Sequence, residues 1–186
     1  MVKKILFIEG TKDDTNGNLR EGFHKLLEQK LKGNMPRIKM ANGISEAIKT
    51  FIHNSTSKNL SEFSHLLIDL DDYESRKQNK IDEYRLNDYS DCVFFMIQEM
   101  EAWFLSQPNI LDDFYGENIS QKITAKDFKE FEKPAEYLKN LTGKNLKRRK
   151  YHKVKHGVEL LKMLNASELE TSSDEFRKLI EQLEDC

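Results

Sequence analysis

The sequence predicts an α/β protein: a mainly parallel four-stranded sheet flanked by helices, followed by a helical C-terminal region. Three observations carry this reading. Short, almost wholly apolar runs recur at "ILFI", "HLLID" and "VFFMI", the pattern of strands buried on both faces. Between them lie segments whose apolar residues follow the helical period. Past residue 100 the strand signal fades while helical punctuation continues. Apolar strands alternating with amphipathic helices make a parallel sheet covered on both sides.

Residues 2–9, "VKKILFIE", read as the first strand, ended by Gly10. A polar stretch leads into a helix with Leu19, Phe23, Leu26, Leu27 and Leu31 on one face. Gly33 and Pro36 punctuate it, and "RIKMA" reads as a short second strand. In "NGISEAIKTFIHN" the stripe Ile44, Ala47, Ile48, Phe51 and Ile52 is helical, with Asn42 placed to cap its start. "SHLLIDL" is the third strand and "DCVFFMIQ" the fourth. "EMEAWFLSQP" reads as a helix stopped near Pro108, and Thr124 to Asp127 has capping-box spacing. "KPAEYLKNLTG" has proline in its first turn and glycine just past its end. In the final helix Ser172 and Glu175 take capping-box spacing, ahead of Phe176, Leu179, Ile180 and Leu183 on one stripe. The expected organisation is an α/β core over residues 1–105 with a helical region, 106–186, packed on it as a single domain.

A chain of 186 residues buries a core without disulfides. Its two cysteines, Cys92 in an apolar run and Cys186 at the last position, argue against a disulfide framework or a zinc cluster. No apolar run approaches the ~20 residues of a membrane helix, and the start lacks a signal peptide's apolar region. A cytoplasmic protein without a membrane partner is expected. With 30 basic and 32 acidic residues, net charge names no partner. Its distribution says more: "KNLKRRKYHKVK", residues 144–155, holds seven Lys or Arg and no acid. Such a run suits the phosphate backbone of nucleic acid, with Lys147, Arg148, Arg149, Lys150 and Lys155 as sequence-independent contacts; its plain alternative is a solvated turn.

In an open parallel sheet, ligands bind outside the carboxyl ends of the strands. Glu9 closes the first strand, Asp69 and Asp71 the third, and Glu99 and Glu101 follow the fourth. Carboxylates converging on one edge repel unless a cation compensates. An oxygen-only cluster suits a hard ion, Mg²⁺ or Mn²⁺. In extended chain Asp69 and Asp71 project to one side and Asp72 to the other, which selects Asp69 and Asp71 as ligands. Each residue also has a plainer reading: Trp103 as core, Gln98 as a strand-end hydrogen-bonder, His156 as a helix-entry residue.

An apolar strand ending in Glu9-Gly10, a helix, then an apolar strand ending in Asp69-x-Asp71 resembles the TOPRIM domain of topoisomerases, primases, recombination-repair proteins and OLD-family nucleases. A closer resemblance is to a compact bacterial TOPRIM-like family, a domain of unknown function linked to defence loci. It rests on "QEMEAW" with Gln98, Glu101 and Trp103, and on "YHKVKHG" with Tyr151, Lys153 and His156. The chain departs from nuclease-type domains after the first glutamate, where Asp13 and Asp14 are the candidates for the second acid.

The resemblance implies Mg²⁺-dependent cleavage of a phosphodiester in phage defence or DNA repair. A separate ATPase is implied as partner, since the chain has no P-loop of its own. Asp69 and Asp71 would hold the metal, with Glu9 sharing it or acting as general acid or base. Glu101, or less favourably Glu99, would complete a second metal site, and Lys153 would neutralise charge on the phosphate. The alternative is a non-catalytic module that binds a metal, a nucleotide or a protein on the same scaffold.

Overall fold

The computed structural model describes residues 3–10, 19–57, 62–116, 118–123, 128–143 and 150–185. Four strands, β1 (Lys3–Gly10), β2 (Arg37–Asn42), β3 (Glu62–Asp69) and β4 (Val93–Met96), form one sheet in the order β2-β1-β3-β4. Every pairing is parallel. The helices are α1 (Leu19–Leu31), α2 (Ile44–Thr56), α3 (Lys77–Glu83), α4 (Glu101–Ser106), α5 (Asn109–Tyr115), α6 (Pro134–Thr142), α7 (Lys153–Met163), α8 (Ala166–Ser172) and α9 (Asp174–Asp185). Among the described residues no helix is long and apolar enough to cross a membrane.

Strand alternation divides the core in two. Leu6, Ile8, Leu67, Phe94 and Met96 face a cluster built with α1 and the helices after residue 100. Ile5, Phe7, Leu66, Ile68, Val93 and Phe95 face the other side, under Ala47, Ile48 and Phe51 of α2 and Ile81 of α3. Successive strand residues point to opposite faces, so these runs are apolar throughout because both faces are covered. All five residues predicted for the buried face of α1 are buried. In its first turn, Gly22 lets α7 approach closely: a Cβ there would lie 2.8 Å from the Leu161 Cβ and 3.0 Å from the Val158 carbonyl oxygen. That contact seats the helix that begins with Lys153.

Three local expectations are corrected. Asn42 does not cap α2; it ends β2, and its amide donates to the Glu46 carboxylate at 3.0 Å. The fourth strand is shorter than "DCVFFMIQ", because Asp91 and Cys92 lie in a 3-10 turn. The final helix is capped by Ser173, whose Oγ accepts from the Phe176 amide at 3.3 Å, and not by Ser172, which ends α8. Glu175 is 2 % exposed and turned inward, where it accepts from the Phe95 amide at 3.2 Å and pairs with Lys77 at 2.8 Å. It therefore satisfies an amide of the edge strand β4, which would otherwise invite another chain. The predicted cap at Thr124–Asp127 lies outside the described residues.

Inside β3, His65 is 1 % exposed and its Nδ1 finds no partner among the described residues. Burial, with a smaller contribution from Lys4, pushes its imidazole down to about 4. The fold thus keeps the ring neutral, while the unfolded chain takes up a proton below its ordinary value near 6.5. Stability is lost as pH falls between those two values and levels off below the lower one. At ~1.4 kcal/mol per unit, the loss is on the order of 3 kcal/mol. His65→Phe is expected to melt well above the wild type near pH 4.5 and close to it at about pH 8. A difference that stays constant across that range in thermal melts would mean that the ring is charged in the fold.

Candidate functional site

The carboxyl ends of β1, β3 and β4 lie side by side, and their acids meet there. Glu9, the penultimate residue of β1, accepts the Asp69 amide on Oε2 at 3.1 Å. Asp69, the last residue of β3, is 6 % exposed; its Oδ1 accepts the Met100 amide at 2.8 Å. Glu101, first residue of α4, is fully enclosed and accepts the Tyr151 hydroxyl on Oε1 at 2.8 Å. Lys153 enters between the last two. Its Nζ lies 3.2 Å from Asp69 Oδ2 and 3.6 Å from Glu101 Oε2.

The backbone beside this cluster is strained. Asp71 and Gln98 both adopt left-handed conformations, with φ of 56° and 61°, which non-glycine residues adopt rarely and at a cost. The two turns support each other: the Asp71 amide donates to the Gln98 carbonyl at 2.7 Å, and the Gln98 amide to the Asp72 carbonyl at 3.2 Å. The extended geometry expected for Asp69-x-Asp71 therefore ends at Asp69. Asp71 stands at the half-open mouth, its carboxylate 3.4 Å from Lys80 Nζ. Its charge still reaches Glu9 and Asp69. Asp72 is exposed and accepts the Tyr73 amide at 2.7 Å.

Electrostatics follow from burial and crowding. Burial raises Glu9, opposed by the Asp69 amide and reinforced by Asp71. Burial pushes Asp69 up to about 7; Lys153 offsets part of this, while Glu101, Glu9 and Asp71 add to it. Burial works against the charge on Lys153, but Asp69 and then Glu101 outweigh it and hold the ammonium above its ordinary range. The Tyr151 hydroxyl is raised well above its usual value, first by burial and then by Glu101.

The remaining predicted residues take other places. Glu99 accepts the Ala135 amide at 2.8 Å in the first turn of α6, beside Pro134, and its charge still reaches Glu101 and Lys153. Gly10 is half-buried; a Cβ there would meet the Met40 Cε at 2.7 Å. Gln98 contributes its backbone, and its side chain is buried. His156 is a helix-entry residue: its Nδ1 accepts the His152 amide at 3.3 Å and lies 3.2 Å from the Tyr115 hydroxyl. Lys150 and Lys155 are exposed, whereas Asp13, Asp14, Lys147, Arg148 and Arg149 lie outside the described residues. Lys80 went unselected in the sequence. Nothing in "KQNKIDE" marks it beyond being a cation on the first helix after the acidic loop.

The donors fit a hard divalent ion by chemistry: they are all carboxylate oxygens, and Glu101 Oε2 is a buried acceptor with no hydrogen-bond donor among the described residues. They are not drawn together as ligands, since among the described residues no three His, Cys, Asp or Glu side chains are grouped closely enough to hold a metal ion. Asp69 and Glu101 converge on an ammonium instead. The arrangement can hold negative charge under strain at one sheet edge, with one lysine inside it and a second at its mouth.

Residues 61–184 match the family described as "Domain of unknown function (DUF4276)", and the chain belongs to it. The match includes the Asp69-x-Asp71, Gln98–Trp103 and Tyr151–Gly157 segments but not the Glu9-Gly10 strand end. No curated protein and no solved structure matches the chain.

Proposed function

We propose that this member of the DUF4276 family is a Mg²⁺- or Mn²⁺-dependent enzyme that cleaves phosphodiester bonds of nucleic acid, with a TOPRIM-like site related to that of OLD-type nucleases. The observation that carries the reading is the meeting of Glu9, Asp69 and Glu101 with Lys153 at the carboxyl ends of three adjacent parallel strands. Glu9, Asp69 and Asp71 would hold the ion, which supplies a polarised phosphate and a water of lowered pKa. Lys153 orients a phosphate oxygen by its positive charge. Where Glu9 does not share the ion, it would serve as the general acid or base, a role that its burial-raised carboxyl supports. Lys150 and Lys155, with Lys147, Arg148 and Arg149 of the same basic run, give salt-sensitive contacts to the nucleic-acid backbone. The same reading places the chain in phage defence or DNA repair beside a separate ATPase.

Cleavage of supercoiled plasmid is expected with Mg²⁺ or Mn²⁺, to stop with chelator, and to fall steeply as salt rises. Glu9→Gln is expected to lower the rate by roughly 10²-fold or more, the scale of a lost general acid or base. Activity that persists undiminished in Glu9→Gln would place the chemistry elsewhere. A second reading, a non-catalytic binding module, is favoured by one observation: the acids stand around a lysine and not around each other. It predicts nucleic-acid or metal binding in titrations with no cleavage under any of these conditions.

A further inference from the structure

The outer edge of β2 carries a second concentration of positive charge, far along the chain from residues 144–155. Arg37 and Lys39 stand two residues apart on this strand and project to one face of the sheet. They line a groove of about 340 Å³ whose other walls include Arg20 of α1 and Glu46 and Thr50 of α2. Among the described residues neither Arg37 nor Lys39 forms an ion pair. Lys39 Nζ lies 5.2 Å from the centroid of the Phe7 ring, a contact that places the ammonium without neutralising it. Glu46, the one acid among the described lining residues, accepts the Asn42 amide at 3.0 Å. A second groove, lined by Glu21, Lys25, Glu28, Gln29 and Lys162, differs in just this respect. There Lys25 pairs with Glu28 at 2.9 Å and Lys162 with Glu21 at 3.0 Å.

Basic residues on an edge strand ordinarily guard it against pairing with another chain. These two also stand in line with the candidate site. β2 runs parallel to β1, with Lys39 opposite Phe7 and Ala41 opposite Glu9. At the rise of an extended strand, Lys39 stands ~7 Å and Arg37 ~13 Å before the row that Glu9 occupies. Steps of that length suit successive phosphates of an extended single strand, and a groove of this size takes one such backbone and not a duplex. Pairing with β2 of a second copy is opposed by the same cations, which would meet their like.

We propose that this groove anchors the sugar-phosphate backbone of a single nucleic-acid strand, with Arg37 and Lys39 each contacting a phosphate one strand away from Glu9. This deepens the nucleic-acid reading above and rests on it.

The test titrates a fluorescein-labelled oligothymidylate into the full-length protein with chelator present, and follows anisotropy over a series of salt concentrations. Wild type is expected to bind, with affinity falling steadily as salt rises. Each neutralised phosphate of a single strand contributes ~0.7 to the logarithmic salt slope. Arg37→Gln and Lys39→Gln should each lower the slope by about that amount and weaken binding several-fold, and their combination should lower it by about twice as much. Lys39→Arg keeps the charge and should keep the slope. Lys178→Gln removes an exposed cation from α9, beside the opposite edge strand β4, and should leave it unchanged. A wild type that does not bind the strand overturns the groove, as does a double variant with the wild-type slope or an equal loss in Lys178→Gln. Oligoglutamate that binds as tightly and is lost with the same variants would assign the groove to an acidic protein segment and overturn it too. Cleavage is tested apart: a wild type that binds through the groove but never cuts plasmid with Mg²⁺ or Mn²⁺ overturns the enzymatic reading and leaves the groove standing.

Discussion

Asp69→Asn is expected to lower the proposed metal-dependent cleavage by roughly 10²–10³-fold, the scale on which one preorganised electrostatic contact contributes to a reaction. The same change should make the metal-free protein more stable near pH 8. Asp69 is buried, and its carboxyl is pushed up to about 7. Because the folded value lies above the unfolded one, near 3.8, the fold prefers the protonated form. The associated stability is complete below the unfolded value and is lost as pH rises through the folded value. At ~1.4 kcal/mol per unit, keeping this group ionised in the fold costs on the order of 4 kcal/mol. Asparagine keeps an oxygen for the Met100 amide and carries no charge, although it gives up the pair with Lys153. The variant should therefore melt above the wild type at about pH 8, and the gap should shrink as pH falls and close only near the unfolded value of 3.8. Saturating Mn²⁺ should close the gap at high pH by stabilising only the wild type. An asparagine variant that melts below the wild type at about pH 8 would show that the Lys153 pair outweighs the burial of the carboxylate.

Trp103→Ala should have the largest effect on stability. The indole is 1 % exposed and meets Phe23 and Phe176 edge-on, with ring centroids 6.4 Å and 5.3 Å away. It joins α4 to α1 and α9. Removing a large buried aromatic costs about 3–5 kcal/mol, which at ~2–4 °C per kcal/mol for a chain of this size lowers the melting temperature by some 10 °C. Trp103→Phe should behave differently. The indole Nε1 is buried with no hydrogen-bond partner among the described residues, and an unmet donor costs about 1–3 kcal/mol. Phenylalanine removes that donor while retaining an aromatic ring, so its melting temperature should stay within a few degrees of the wild type. A phenylalanine variant as unstable as the alanine one would show that the full indole volume is what matters.

That contrast bears on what the sequence could reveal. Trp103 belongs to the "QEMEAW" segment that carries the family resemblance, yet its position is core packing, while Glu101 two residues earlier reaches the site. Periodicity made the four strands and the long helices legible, because burial on a defined face repeats along the chain. Strand order also placed the carboxyl ends of β1 and β3 side by side, where Glu9 accepts the Asp69 amide, whereas the lysine that joins Asp69 to Glu101 could not be read from it. The misreadings have a common cause. Glu99 caps α6, Glu175 satisfies an edge strand, Ser173 caps where Ser172 was expected, and Lys80 reaches Asp71. Each is a side-chain contact set by a turn or by a distant segment, and such contacts leave no period to detect. Asp71 is the clearest case: alternation along an extended strand stops applying once the backbone turns left-handed after Asp69.

The lysine shared by Asp69 and Glu101 comes from 84 residues beyond the first of them. Translation supplies both acids long before their counter-ion. A ribosome-bound chain that has not yet emerged through α7 would have to bring two carboxylates together with nothing to neutralise them. Docking of β4 beside β3 is therefore expected to wait for the last third of the polypeptide.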